Sequence, residues 1–446
     1  MNVVYLTADS LRFDHISYFN PDSPVSTPNI DELAREGLAF ERAYSNGPHT
    51  TLSAPTMLAG EYQPAISGET PTLAESLQSA GYSTAGICTN VQLVGYKLNH
   101  MQLWRGFDEF DTMLSAVRQR SEVKIEKAAG LVGSTVESTF GSDSLPFRVF
   151  TSVFPYLPLP MTVPTPHAGA VNERALEWLD DPEVDEPFFL WGFNLDPHEP
   201  WMPPTEDSRG IRDRIRRHRL NRKYRYFESA LDENEQDLVR DLYAESVAYW
   251  DRKVGELVSA IRERTNEPTT FVVTSDHGEL LGEYGTFGHS GGPEDELLHV
   301  PLIVSGDGVE AADVHSLVQN IDVVATIADL AETSVPENVR GKSLLSMDEF
   351  ADRRGVLSLL SVDPLTLAYR TDEWQYVRTE DDEQLYATDE ERRVDVAHDH
   401  PSVVVELADE VDSLLADVSF DVERPDDVTV DPEIQDRLHS LGYLDE

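Results

Sequence analysis

The chain opens on a β-rich apolar run, Asn2 to Thr7, that leads to Asp9, and the same device returns twice further on. Between these runs the period changes. Thr27-Pro28 opens Asn29–Glu36, where Ile30, Leu33 and Ala34 fall at helical spacing before Gly37 stops the pattern. Pro71 and Thr72 open a second helix, Leu73–Ala80, closed by Gly81, and a strand over Ser83–Cys88 follows. Further strands are predicted at Pro187–Leu195, Thr270–Thr274 and Val300–Ser305, with helices between them at Ala170–Leu179 and Leu238–Arg262. Strand and helix in alternation predict an α/β fold with a mostly parallel central sheet flanked by helices.

Two stretches break the pattern. Phe147–Pro166 is apolar and studded with proline, so it is no long helix; it reads as a packed irregular loop or as a lid for an apolar part of a substrate. Arg209–Arg225 is a basic island, read either as a helix salt-bridged to acidic neighbours or as a rim that steers an anionic substrate. From about Ala351 the character shifts. Leu367–Tyr386 reads as short strands carrying Trp374, Tyr376 and Tyr386, and acidic helical sequence follows. The expected organisation is a catalytic domain over 1–350, with insertions at about 112–166 and 205–235, and a small C-terminal α+β subdomain over 351–446.

Composition narrows the function classes. The 446 residues include 35 Lys and Arg against 82 Asp and Glu, a net charge of −47. Such a surface repels anionic polymers, so no nucleic-acid partner is expected. Acid dispersed along the whole chain, with lysine nearly absent, is what a salt-filled cytoplasm favours, because screening shortens to a few ångströms near molar salt. The single cysteine, Cys88, rules out a disulfide framework or a Cys-rich zinc site. No apolar stretch is long enough to span a bilayer and no leader is visible at Met1, so a cytoplasmic, halophilic protein is expected.

The candidate chemistry sits where the apolar runs end. Val3–Leu6 leads to Asp9, Phe188–Trp191 leads to Asp196 and His198, and Phe271–Thr274 leads to Asp276-His277. In parallel sheets ligands gather beyond the carboxyl ends of the strands, and two aspartates with a histidine there suit one divalent ion. Singly, each such Asp reads as a turn or cap. Asn46–Thr51 is a turn-rich approach to a helix over Ser53–Ala59 closed by Gly60, which places Thr50 at a helix N-terminus. There Thr50 is either an ordinary cap or a nucleophile beside an anion-binding dipole.

The runs DSLRFDHIS, TPNIDELAREGLAFERAYS, PTLAESLQSAGYSTAGI, NLDPHEPWMPP, SDHGELLGEYG and HVPLIV, in that order, resemble the sulfatase family of the alkaline-phosphatase superfamily. EWQYVRTEDDEQLYAT and LHSLGYLDE resemble that family's C-terminal subdomain. The resemblance implies an alkaline-phosphatase-like sandwich and a divalent metal ion, Ca²⁺ or Mg²⁺ by likeness, with Mn²⁺ or Zn²⁺ also compatible. It implies Asp9, Asp276 and His277 as metal ligands, with Thr50 as both ligand and nucleophile. It further implies His198 and His289 as catalytic groups near the substrate, with Asp196 and Asn90 as further substrate contacts.

The departures carry as much information. The usual formylglycine precursor, a Cys or Ser in a Cys/Ser-x-Pro-x-Arg motif, is here Thr50-Thr51-Leu52-Ser53-Ala54, and threonine cannot yield the aldehyde. The second aspartate that often follows the first is Ser10, and the family's Lys-x-His gives way to Thr89-Asn90-Val91. Threonine at the nucleophile position is similar to the phosphoryl-handling branches of the superfamily. The expectation is a metal-dependent hydrolase or transferase acting on a small-molecule, glycan or lipid phosphate or sulfate ester through Thr50, phosphate favoured. An arylsulfatase-like enzyme working without formylglycine and a non-catalytic ligand-binding relative are the alternatives. Oligomeric state is left open.

Overall fold

A computed structural model describes residues 1–94, 98–113, 166–204, 211–227, 230–350, 352–388 and 394–418. The expected lid at 147–166 lies almost wholly outside them, as do the C-terminal LHSLGYLDE and the start of the basic island. Eight strands form the central sheet: β1 (Asn2–Asp9), β2 (Leu38–Phe40), β3 (Ser83–Cys88), β4 (Glu109–Asp111), β5 (Phe188–Pro197), β6 (Thr269–Ser275), β7 (Leu302–Gly306) and β8 (Ala312–Val314). Their order is β8-β2-β7-β6-β1-β5-β3-β4. Only β7 runs against the rest, pairing antiparallel with both β6 and β2. β1 lies between β5 and β6 and is parallel to both, so the carboxyl ends of these three strands share one edge. β3, parallel to β5, ends there too.

Strand alternation divides the core. On one face Val4, Leu6, Leu190, Val273 and Ile303 pack against α1 (Pro28–Glu36), α4 (Ala168–Leu179) and α6 (Glu233–Arg264). On the other, Val3, Tyr5, Trp191, Val272 and Leu302 pack against α2 (Thr50–Ala59), α3 (Leu73–Ser79) and α7 (Asp322–Leu330). The expected α/β architecture is therefore present. The longest helix among the described residues, α6, starts at a reciprocal cap between Asp232 and Glu235 and buries Val239, Leu242, Tyr243, Val247, Trp250, Val254, Leu257 and Ile261 at intervals of one, three or four residues. No described helix is long and apolar enough to cross a membrane.

C-terminal to this body, β9 (Gly355–Val362), β10 (Leu365–Thr371), β11 (Trp374–Arg378) and β12 (Glu383–Ala387) form an antiparallel sheet in sequence order. Helix α8 (Pro401–Leu415) covers it with Val404, Leu407, Val411 and Leu415, and Leu52 of α2 joins that cluster. The loop that delivers α2 is tied to the same sheet. Asn46 Nδ2 donates to the Leu357 carbonyl at 3.1 Å, and the Leu359 amide donates to the Asn46 carbonyl at 2.9 Å. Gly47 is required in that loop, because a Cβ there would come within 2.4 Å of Leu52 Cβ. The C-terminal sheet thus braces the residues leading to Thr50.

Candidate active site

Asp9, Asp276 and His277 leave the ends of β1 and β6 and meet as a fully buried cluster, one ligand atom from each lying within 4.8 Å of the others. Ser10 takes a left-handed backbone, φ 64°, which for a residue other than glycine is strained. The turn sends its amide to Asp276 Oδ1 at 3.2 Å, while Tyr243 Oη holds its carbonyl at 2.7 Å. His277 donates Nδ1–H to the Gly278 carbonyl at 2.8 Å, which leaves the Nε2 lone pair facing inward. That nitrogen lies 3.5 Å from Asp9 Oδ1, 3.5 Å from Asp276 Oδ2 and 3.4 Å from Thr50 Oγ1.

Thr50 opens α2, one residue after His49, whose extended backbone marks the helix entry. The first-turn amides of a helix are left unsatisfied by the helix itself and carry its positive dipole end. Gly60 closes α2 in the left-handed conformation, as its place in the sequence predicted. Asn90, just beyond β3, donates Nδ2–H to Asp9 Oδ2 at 2.7 Å and reaches Thr50 Oγ1 at 3.3 Å. It bridges Thr50 and Asp9.

The electrostatics of this cluster fit a cation. Asp276 Oδ2 is buried and accepts no hydrogen bond. Burial holds Asp9 well above the usual carboxylate range, with the Asp276 charge adding to it, and burial pushes Asp276 up to about 7. Burial, then the neighbouring His289, lowers His277 well below its ordinary value and keeps it neutral. Two buried carboxylates, a neutral imidazole and a hydroxyl are a donor set for a divalent metal ion.

A second cluster faces the first. His198, Glu279 and His289 also bring ligand atoms within 4.8 Å of one another. The His289 ring centroid lies 4.7 Å from that of His277 and 5.1 Å from that of His198. His289 Nδ1 pairs with Glu279 Oε1 at 3.3 Å. Burial works against a proton on His289, but the Glu279 carboxylate outweighs it and raises His289 above its ordinary value. His198 is lowered, by burial and then by the His289 charge, and its Nδ1 bonds the Glu199 carbonyl at 2.6 Å. Helix α5 (Ile211–Phe227) clamps this side: Arg225 Nη2 holds both Glu199 oxygens at 2.8 and 2.9 Å, and Tyr224 Oη lies 3.4 Å from Glu279 Oε1.

The structure therefore gathers Asp9, Thr50, Asn90, His198, Asp276, His277 and His289 into one cluster, buried except for the partly exposed His289. Asp196, expected as a substrate contact, is placed differently. Its oxygens accept from the Ala168 amide at 2.8 Å, at the start of α4, and meet His167 Nδ1 at 3.0 Å. The carboxylate that joins His198 and His289 is Glu279. It lies two residues beyond His277 in a chain with 82 acidic residues, and nothing in spacing or periodicity marks it.

A parallel-stranded scaffold with a buried, metal-competent cluster and a hydroxyl at a helix N-terminus defines the class, an ester hydrolase. The chain belongs to the sulfatase family, whose model, described as Sulfatase, matches residues 1–333. It is 24% identical over 395 residues to the uncharacterized sulfatase YidJ of Escherichia coli (strain K12), across 80% of this chain and 72% of that protein. It is likewise 24% identical over 461 residues to arylsulfatase K of Homo sapiens, across 93% and 82%. Among solved structures, the phosphonate monoester hydrolase SpPMH from Silicibacter pomeroyi shares the fold, with a TM-score of 0.68 at 19% identity over 94% of this chain and 96% of that one. The family membership and fold expected from the motifs are borne out.

Proposed function

We propose that the chain cleaves phosphate esters by nucleophilic attack of Thr50, within a sulfatase-family scaffold that has dispensed with formylglycine. The observation that carries this is the position of Thr50 Oγ1 at the mouth of α2, 3.4 Å from His277 Nε2 and 3.3 Å from Asn90 Nδ2. Asp9, Asp276 and His277, with Thr50 itself, are the residues that would hold a divalent cation. Bound there, such an ion would lower the pKa of the hydroxyl and offset charge on the transferred group.

The remaining steps belong to the chain's own groups. Asn90 orients the Thr50 hydroxyl, and the first turn of α2 offers its amides to the anionic group. Thr50 gives its hydroxyl proton to solvent water, and the Oγ1–P bond forms as the bond to the leaving oxygen breaks. His289, held against Glu279, gives its proton to that oxygen, with His198 alongside. Water or an alcohol then takes the group from Thr50. Sulfate esters are the second reading, favoured by family membership itself; the missing aldehyde precursor at Thr50 argues for phosphate.

The test is a panel of p-nitrophenyl phosphate, its diester and p-nitrophenyl sulfate, run with each of Ca²⁺, Mg²⁺, Mn²⁺ and Zn²⁺. Phosphate turnover should exceed sulfate turnover and vanish in Thr50→Ala. Full activity in that variant would sink the assignment.

A further inference from the structure

The turn from Asp9 to Arg12 is held from several sides. The Asp9 carbonyl accepts from the His198 amide at 3.1 Å, and the Ser10 amide donates to Asp276 Oδ1 at 3.2 Å. The Leu11 amide donates to Ser275 Oγ at 2.7 Å, and that hydroxyl donates to the His277 carbonyl at 2.6 Å. One group takes the next two positions. Tyr243 Oη donates to the Ser10 carbonyl at 2.7 Å and accepts from the Arg12 amide at 3.0 Å, as a phenol can because it carries one donor and a lone pair. Tyr243 comes from α6, 233 residues from Ser10, and is fully buried, with its ring edge-on to His15 at 4.9 Å between centroids. Burial lifts its pKa well above the ordinary phenol value, so the hydroxyl keeps the proton it donates.

These bonds matter because the turn is strained. Ser10 stands at φ 64°, a conformation that a residue with a Cβ keeps only where its surroundings over-determine it. That conformation aims the Ser10 amide at Asp276 Oδ1 and leaves Oδ2 of the same carboxylate toward His277 Nε2, 3.5 Å away. It also sets the Ser10 hydroxyl 3.2 Å from Asp9 Oδ1. Relaxing the turn would take the amide and the hydroxyl off the two carboxylates together.

We propose that Tyr243 is a positioning residue for the cation site, its hydroxyl pinning the strained Ser10 turn so that the Asp9 and Asp276 carboxylates stay aimed at one shared ion. Tyr243 Oη bonds no ligand side chain; its effect passes through the backbone at Ser10 and Arg12. The inference rests on the metal-dependent reading above and deepens it, naming a group outside the cluster that sets the ligand geometry. Outer groups that orient ligands typically change metal affinity by about 10–100-fold. Helix α6 also supplies an internal comparison. Tyr249 is buried on the same helix, but its hydroxyl accepts from the Gly169 amide at 3.2 Å, at the start of α4 and away from the turn.

Metal binding tests this without any need for turnover. The full-length protein, stripped with a chelator, is titrated with Mn²⁺, and free Mn²⁺ is read by electron paramagnetic resonance. Tyr243→Phe removes one oxygen, keeps the ring against His15, and should raise the dissociation constant about 10–100-fold. Tyr249→Phe makes the same deletion six residues along the helix and should change it less than about threefold. Glycine takes a positive φ freely, so in a Ser10→Gly background deletion of the Tyr243 hydroxyl should also cost less than about threefold. Equal losses in the two Phe variants would make Tyr243 a stability residue and overturn the proposal. The same loss with serine or glycine at position 10 would overturn it too, because relief of strain would then play no part. A wild-type protein that takes up neither Mn²⁺ nor, in competition with a chromophoric chelator, Zn²⁺ would end the metal-dependent reading itself, a result distinct from an undiminished affinity in Tyr243→Phe.

Discussion

The two halves of the pocket are built from different materials. Asp9, Asp276 and His277 come directly off adjacent parallel strands, so the sheet ladder fixes their backbones and the Ser10 turn locks them together. His198, Glu279 and His289 sit on connecting segments and depend on a helix, α5, to hold them. On the proposed function, the groups that would hold a fixed charge stand on the rigid frame, and those that would pass a proton stand where small movements are available. The contrast makes metal retention and proton delivery separable by mutation.

The largest effect is expected on the rigid side. Asp276→Asn removes a ligand and a buried charge, so both bound metal and turnover should be lost, the latter by ~10³-fold or more. Thr50→Ala should match that loss of turnover while the Asp9–Asp276–His277 cluster retains most of the metal. Metal content by mass spectrometry after dialysis, set beside initial rates, checks the pair. Loss of metal in both variants to the same extent would mean that Thr50 is chiefly a ligand.

On the proton-handling side the effect should be smaller and should depend on the substrate. General acid catalysis typically contributes about 10²–10⁴-fold, most of it for leaving groups that need a proton. His289→Gln should therefore slow alkyl phosphate cleavage by about that factor and p-nitrophenyl phosphate far less, with bound metal unchanged. Equal slowing of both esters would remove His289 as the proton donor and leave it a substrate contact.

The same division governs what the sequence reveals. The strand-end residues are legible because an apolar run followed by Asp or Asp-His is a local pattern, and Gly60 fixes the register of Thr50 from the far end of α2. Glu279 is invisible because its role arises only when the loop after β6 folds back toward His198. Asp196 is legible as a strand-end acid, yet its oxygens are claimed by the amide that opens α4, a contact 28 residues away in the chain. Helix α7 carries a period, with Asp322, Thr326 and Asp329 four and three positions apart, but eight of its nine residues are buried, Asp322 and Thr326 among them, so its polar stripe does not mark a solvent face. The three-residue strands β2, β4 and β8 are too short to alternate.

The loop from Asp276 to His299 ends in a residue that isolates what Glu279 does for His289. His299 is half-buried in a stack between Phe13, at 3.8 Å between ring centroids, and Tyr44, at 4.9 Å, and its Nε2 donates to the Glu41 carbonyl at 2.8 Å. With no carboxylate among the described residues hydrogen-bonded to it, desolvation wins, and His299 is pushed down to about 4 despite the pull of Asp295. The sign follows from linkage. An unfolded histidine takes its proton near pH 6.5, so the unfolded chain binds more protons between that point and about 4, and the stability due to neutral His299 is lost as pH falls through this window. The loss should be at most about 1.4 kcal/mol per pH unit, roughly 3 kcal/mol in all. His299→Phe keeps the stack and removes the titration, at a pH-independent cost of about 1 kcal/mol for the abandoned Glu41 carbonyl. Denaturant unfolding at pH 4.5, 5.5 and 7.5 should show a shallower acid slope in the variant and parallel behaviour above pH 7. Identical slopes across the range would mean that His299 carries its proton in the fold, and that burial alone does not separate it from His289.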